Sequence, residues 1–248
     1  MAKVRADQLL VTRGLFESRA RAQAAIEAGR VSAGGEQVRK SSQELHEDVD
    51  LVAEPAHPFV SRGGVKLASA LAHFDFDPSG KICVDVGAST GGFTDVLLRG
   101  GARRVYAVDV GTGQLHPSLT GHPLVVQLEK VDARTLNRSH IPEAAGLITV
   151  DVSFISLKLI VPGLANIAAP DAALIALVKP QFEAGKTLVR KGVVRDATVH
   201  KSVCDNVATF VGEHGWHVLG VIESPIEGGD GNREFLLGAS REAGAVKI

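Results

Sequence analysis

The chain has 248 residues, 45% of them hydrophobic, with 27 Lys and Arg against 28 Asp and Glu for a formal net charge of -1. That is enough apolar material for one medium domain and a small appendage, and the near-neutral balance means that any RNA-binding surface must come from local clusters of Arg and Lys. The two cysteines, Cys83 and Cys204, exclude a disulfide framework and a zinc site and fit a reduced, cytoplasmic compartment; the amino end lacks the apolar core of a signal peptide, and every apolar run falls short of a membrane span.

In chain order, helical patterns run from Ala6 to Arg13 and from Ser18 to Ala28, the second with Ala20, Ala24, Ala25 and Ile26 on one face. Ser18 is placed as its N-cap and Gly29 as its stop. Val31–Ala33 and Glu36–Val38 read as short strands around Gly34-Gly35, with another near Val49–Val52. Two prolines in Glu54-Pro55-Ala56-His57-Pro58 mark a linker. The expected division is 1–56 and 57–248, with regular structure resuming near Phe59.

Beyond the linker, strands alternate with helices: helix 61–74, strand 81–86, helix 92–100, strands 104–109, 124–128 and 147–151, helix 156–168, strand 173–178, helix 197–214, and strands 216–222 and 234–238. Segments such as Leu147-Ile148-Thr149-Val150 and Ala173–Val178 are apolar almost throughout, as a sheet covered by helices on both faces requires. The predicted fold class is α/β, a doubly wound sheet with a small α+β amino-terminal domain.

The strand Ile82–Val86 runs into a glycine-rich turn and then a helix, the arrangement in which backbone N–H groups and a helix start face a ligand. The spacing Gly87-x-x-x-Gly91-Gly92 is not the G-x-G-x-x-G that a dinucleotide pyrophosphate needs. Acidic residues end three successive strands: Asp85, Asp109 and Asp132. The first two are placed for a ribose diol and the third for an adenine amino group, which describes an adenosine pocket without a phosphate. Any one of these Asp residues alone reads equally well as a strand-end cap.

Two further strand ends carry polar residues, Asp151 and Lys179. A lysine with an ordinary pKa near ~10.4 needs desolvation or a cationic neighbour to act as a base at neutral pH. Lys66 is a candidate for that neighbour, and Asp151 and Glu234 for orienting the pair; taken singly, each lysine also reads as a solvated side chain and Glu234 as an edge residue.

The loop DVGASTGGFTD, with SRGGVKL upstream and VDVSFISL, LVKPQFE and SPIEGGDGNREF downstream, resembles the TlyA (hemolysin-like) family of ribosomal RNA 2'-O-methyltransferases, related to the FtsJ methyltransferases. The resemblance implies a Rossmann-like class I methyltransferase whose last strand is antiparallel, using S-adenosylmethionine. Cofactor contacts would come from Asp85, Gly87, Ser89, Thr90, Gly91, Gly92, Phe93, Asp109 and Asp132. It implies a catalytic tetrad of Lys66, Asp151, Lys179 and Glu234, with Lys179 as base toward a cytidine 2'-hydroxyl, and no metal. The segment from Thr12 to Val31 resembles the hallmark of an RNA-binding domain found in a small-subunit ribosomal protein.

Phosphate contacts are then expected from Arg13, Arg19, Arg21 and Arg30 on that domain and from Arg62, Arg190, Lys191 and Arg195 near the active-site mouth, with Phe154 and Phe182 available for stacking. The implied partners are ribosomal RNA or ribosomal subunits, with the chain a monomer or weak dimer and no membrane association. Relatives modify the large-subunit RNA alone or both subunits, and this chain's compact ends favour the narrower range. Three alternatives stand beside this reading: a methyltransferase of proteins or small molecules, a membrane-active cytolysin, and a ribosome-associated RNA-binding factor without catalysis. The composition argues against the cytolysin, since no strongly basic amphipathic helix is present.

Overall fold

In the computed structural model, residues 3–185, 188–189 and 191–241 are described, the side chain of Asp230 apart. The chain divides into two compact units, Met1–Pro58 and Phe59–Ile248.

The first unit contains β1 (Lys3–Arg5), α1 (Ala6–Thr12), α2 (Arg19–Glu27), β2 (Val31–Ala33), β3 (Glu36–Gln37), β4 (Glu44–His46) and β5 (Leu51–Ala53). β1 pairs antiparallel with β4, and β2 lies between β3 and β5. Ser18 caps α2, its hydroxyl accepting from the Arg21 amide at 3.4 Å. Gly29 ends the helix at φ +70°, with Gly29 N–H bonding Ile26 O and Arg30 N–H bonding Ala25 O. This double bond satisfies carbonyls the helix leaves open, and it needs the left-handed residue that glycine supplies. The buried face of α2 is Ala22, Ala25 and Ile26, whereas Ala20 is exposed. Ala25 and Ile26 of the expected face are thus buried and Ala24 half-buried, and only Ala20 lies off it, Ala22 taking its place against Leu9, Leu10 and Phe16 in the small core. The strands at 3–5 and 44–46 were not expected, since they are as short as β2 and β3 but have no Gly-Gly turn between them to mark them.

One polar group sits under this unit. Asp7 is fully buried and accepts from Arg5 twice at 3.0 Å, from Arg19 Nη2 at 2.8 Å and from Gln23 at 2.7 Å. The Arg5 hydrogen bonds, joined by those of Arg19 and Gln23, hold its carboxyl well below the usual carboxylate range. A carboxyl depressed in the folded state adds stability that is complete above its unfolded value, near ~3.9, and drains away as pH falls through the folded one. Asp7→Asn is therefore expected to destabilise this unit by about 2 kcal/mol at pH 7, with the gap from wild type narrowing below about pH 4. Amide hydrogen exchange across α1 and α2 at several pH values measures this; a gap that stays constant with pH refutes it.

The second unit holds α3 (Gly63–Phe74), β6 (Ile82–Val86), α4 (Gly92–Arg99), β7 (Arg104–Asp109), β8 (Val125–Glu129), β9 (Ala145–Val150), α5 (Val161–Leu164), β10 (Ala168–Val178), α6 (Pro180–Glu183), α7 (Ala197–Glu213), β11 (His217–Glu223) and β12 (Phe235–Ser240). Its sheet runs β11-β12-β10-β9-β6-β7-β8, and β12 is antiparallel to both of its neighbours. The other ladders, β10 with β9, β9 with β6, β6 with β7 and β7 with β8, are parallel. One face is covered by α3 and α4 through Leu67, Ala70, Phe93, Val96 and Leu97. The other is covered by α5 and α7 through Val161, Leu164, Val203, Val207 and Val211. This is the doubly wound α/β architecture, with the single reversed strand where the resemblance implied it.

The helix expected over 156–168 is not continuous. A short 3₁₀ turn at Leu157–Leu159 precedes α5, because Pro162 has no N–H to give a preceding turn and its ring excludes that turn's carbonyl. The chain returns to strand at Ala168, earlier than expected, with an irregularity in register before Ala173. Helix 61–74 starts two residues late, at Gly63. No helix among the described residues is long and apolar enough to cross a membrane.

Candidate active site

The parallel strands deliver β6, β7 and β9 to one edge of the sheet, and the loop after β6 crosses that edge. Gly87 and Ala88 N–H both bond Val108 O, at 2.8 and 3.0 Å, and the chain then turns through Gly87 (φ +84°), Ser89 (φ +48°) and Gly91 (φ +89°) into α4. Glycine at 87 is compelled twice: its φ is left-handed, and a Cβ there would strike the Asp151 carbonyl. The loop is thus packed directly against the end of β9. Gly92 lies equally close to the start of α3, where a Cβ would meet Ser61 Oγ just before the helix and the Gly64 amide within it.

The three strand-end acids have different surroundings. Asp109 fixes the loop tip, its Oδ2 accepting from Ser89 N–H and its Oδ1 from Gly111 N–H, both at 2.7 Å, while the side chain stays only half-buried. Asp85 is fully buried and accepts from Thr94 Oγ1 at 2.7 Å, and burial pushes its carboxyl up to about 7, aided by the charge of Asp151. It anchors the loop from below and is not open to a ribose, contrary to the expectation for it. Asp132 caps the turn at Ala133–Thr135 and pairs with Arg134 at 2.5 Å, which holds it down to about 2. Both of its oxygens accept from that arginine. Phe93 is 3% exposed and packs beside Leu67 in the core. It belongs to the packing of α4 and not to the ligand surface, because the first turn of the helix faces α3. Ser89 and Thr90 are exposed at the tip.

Three residues of the predicted tetrad, Asp151, Lys179 and Glu234, lie just beyond strand ends. β10 and β12 pair up to Val178 opposite Phe235, which sets Lys179 and Glu234 opposite each other one step further on. Glu234 accepts from Lys66 Nζ at 2.5 Å, both buried, so α3 is pinned to β12. Lys179 Nζ lies 2.6 Å from Asp151 Oδ1 and donates to Ser153 Oγ at 2.9 Å. Each lysine thus has its own carboxylate, Lys66 with Glu234 and Lys179 with Asp151. The two cysteines play no part, since burial pushes the Cys83 thiol up to about 12 and Cys204 to about 11, far from a reactive thiolate.

Sequence reasoning passed over several residues that build this edge. Ser153 binds Lys179, and Glu183 accepts from Ser156 Oγ at 2.6 Å and Leu157 N–H at 2.7 Å, tying α6 to the loop after β9. Buried Asn232 donates to Gly192 O and Gly229 O, both at 3.1 Å, shaping the turn before Glu234. All three lie in the stretches VDVSFISL, LVKPQFE and GDGNREF; only their titratable strand-end neighbours had drawn notice, since a neutral or helix-bound side chain carries no such signal.

The proposed phosphate contacts are dispersed. Arg62, Lys191 and Arg195 are exposed, and Arg190 lies outside the described residues. In the first unit Arg19 is paired with Asp7, Arg30 with Glu54 at 3.3 Å, and Arg13 donates to Val49 O at 2.6 Å and to Glu47 O. Arg21 is half-buried.

Residues 59–241 match the model of the FtsJ-like methyltransferases and residues 4–51 that of the S4 domain. A relative from Bacillus subtilis is 45% identical over 242 residues, covering 95% of this chain and 85% of its own. The 16S/23S rRNA (cytidine-2'-O)-methyltransferase TlyA of Mycobacterium tuberculosis is 43% identical over 238 residues, covering 95% of this chain and 89% of its own. The solved structure of a protein described as a hemolysin from Streptococcus thermophilus matches with a TM-score of 0.76 at 41% identity, over 98% of this chain and 90% of that one. With an FtsJ-like domain, an S4 domain and this identity over nearly its whole length, the chain belongs to the TlyA family of FtsJ-like methyltransferases.

Proposed function

We propose that this enzyme transfers a methyl group from S-adenosylmethionine to the 2'-oxygen of a cytidine ribose in ribosomal RNA, with Lys179 as the general base. The observation that carries this reading is the two lysine–carboxylate pairs, Lys66 with Glu234 and Lys179 with Asp151, with positions 179 and 234 opposite each other across β10 and β12 and the turn at Gly87 abutting Asp151.

The residues present suit the methyl donor. From Asp85 to Phe93 the loop has no Lys or Arg to attract a phosphate, and Asp109, Ser89, Thr90 and the amides around Gly91 offer acceptors and donors for a ribose and an amino acid. When bound, the cofactor supplies an electrophilic methyl on a sulfonium. The protein's tasks are then to align the 2'-oxygen in line and to remove one proton. Lys179 receives that proton and Asp151 offsets the positive charge that results. Lys66 and Glu234 hold the opposing strand end, so that the floor beneath the base is rigid.

The S4 domain is assigned to RNA binding through Arg13, Arg19, Arg21 and Arg30, with Arg62, Lys191, Arg195 and Arg190 holding phosphates near the site. A guanidinium has five N–H donors, so Arg19 and Arg30 keep some for phosphate while paired with Asp7 and Glu54. Incubating the protein with methyl-labelled S-adenosylmethionine and isolated subunits or intact ribosomes, then mapping the modified nucleotide, tests the reading. Label at the 2'-position of a cytidine supports it, and no label in any ribosomal RNA overturns it.

A further inference from the structure

The bond between Lys179 and Ser153 carries an inference about how the base is aimed. A lysine side chain is long and rotatable, so a base of this type needs something directional to hold its nitrogen. The carboxylate beside it does not provide direction: Asp151 Oδ1 lies 2.6 Å from Nζ, yet it is buried and makes no contact with hydrogen-bond geometry. Ser153 Oγ does, accepting from Nζ at 2.9 Å.

Both ends of that bond are fixed. Ser153 precedes Phe154, which stands at φ +65° although it is a bulky residue and 90% exposed. This conformation is costly, and it turns the chain sharply just after Ser153. Further on, Ser156 and Leu157 are held by the Glu183 carboxylate, on the helical turn that begins immediately after Lys179. The loop after β9 and the segment after β10 are therefore joined through Glu183 and Ser153 as well as through the Asp151–Lys179 ion pair. Ser153 is itself exposed.

We propose that Ser153 is the positioning residue that aims Lys179 Nζ at the ribose 2'-hydroxyl, with Asp151 supplying counter-charge and Ser153 supplying direction. This rests on Lys179 being the base. An unprotonated amine has two N–H groups and one lone pair; engaging one N–H with Ser153 leaves a restricted arc for the lone pair. In the transfer, the 2'-hydroxyl proton passes to that lone pair and the oxygen forms its bond to the methyl carbon as the carbon–sulfur bond breaks. The electron pair of that bond returns to sulfur, leaving a neutral thioether. The new ammonium keeps Ser153 as acceptor and Asp151 as counter-ion.

The test compares Ser153→Ala, Ser153→Thr and Lys179→Ala in steady-state methylation of the ribosomal substrate, with melting temperatures measured alongside. Ser153→Ala is expected to lower kcat by about tenfold or more while KM for both substrates changes by less than about twofold, the signature of a lost alignment. Ser153→Thr, which keeps the hydroxyl, is expected to recover kcat to within about threefold of wild type, and neither variant should shift the melting temperature by more than about a degree. If Lys179→Ala is inactive but Ser153→Ala retains full kcat, or loses only KM, or is not rescued by threonine, the role of Ser153 falls and the base assignment stands. If Lys179→Ala is fully active, the base assignment falls and takes this proposal with it.

Discussion

Lys179→Ala is expected to lower the rate of methyl transfer by about 10²- to 10⁴-fold, the usual worth of a positioned general base, while binding of S-adenosylmethionine changes little. The reason is geometric. Lys179 is 9% exposed at the end of β10, beside Asp151, whereas Asp109, Ser89 and Thr90 sit on the loop that would hold the cofactor. Truncating the lysine removes the proton acceptor and leaves the loop's hydrogen bonds to Asp109 and Val108 intact. Single-turnover methylation together with calorimetric cofactor binding separates the two quantities. A variant that methylates at the wild-type rate, or that fails because the cofactor no longer binds, contradicts the assignment.

The largest effect on stability is expected from Lys66→Met. Its partner Glu234 has only 4% of its side chain exposed, and Lys66 itself 10%, so the substitution leaves a buried carboxylate without its cation. Breaking such a pair on one side costs about 3–5 kcal/mol. At about 2–4 °C for each kcal/mol in a domain of this size, the melting temperature should drop by roughly 10 °C. The double variant Lys66→Met/Glu234→Leu is expected to regain most of that loss without regaining activity, since an apolar pair of similar volume often matches a buried ion pair in stability. A thermal melt of the single variant within a degree or two of wild type, or a double variant no more stable than the single, refutes the account.

Much of this architecture was legible in the chain itself. The apolar runs at Leu147–Val150 and Ala173–Val178 could belong only to covered strands, and the glycine pattern after Asp85 could not serve a pyrophosphate. Both features are local: a strand's burial is written in its own composition, and a turn's φ angles in its own glycines. Helix 156–168 misread because the apolar periodicity outweighed Pro162, a single residue whose missing N–H decides the local outcome. On α2 only Ala20 was misplaced, with Ala22 buried in its stead, since alanines at 20, 22, 24 and 25 offer almost no contrast and the partner core chooses among them.

What the sequence determined by itself was the list of chemically capable residues and the strand ends on which they stand. Which of them meet was decided only by the tertiary structure. Asp85, Asp109 and Asp132 are equivalent in the sequence, each an acid closing a strand. In the fold, Asp85 is buried under Thr94, Asp132 is occupied by Arg134, and Asp109 is half-buried against the loop tip. Likewise Lys66 and Glu234 are separated by 168 positions and Lys179 and Ser153 by 26, and their contacts come from the packing of α3 on β12 and from the parallel pairing of β9 with β10. Burial and pairing are properties of neighbours brought from elsewhere in the chain, and it is those neighbours that set which carboxyl stays charged and which amine is aimed.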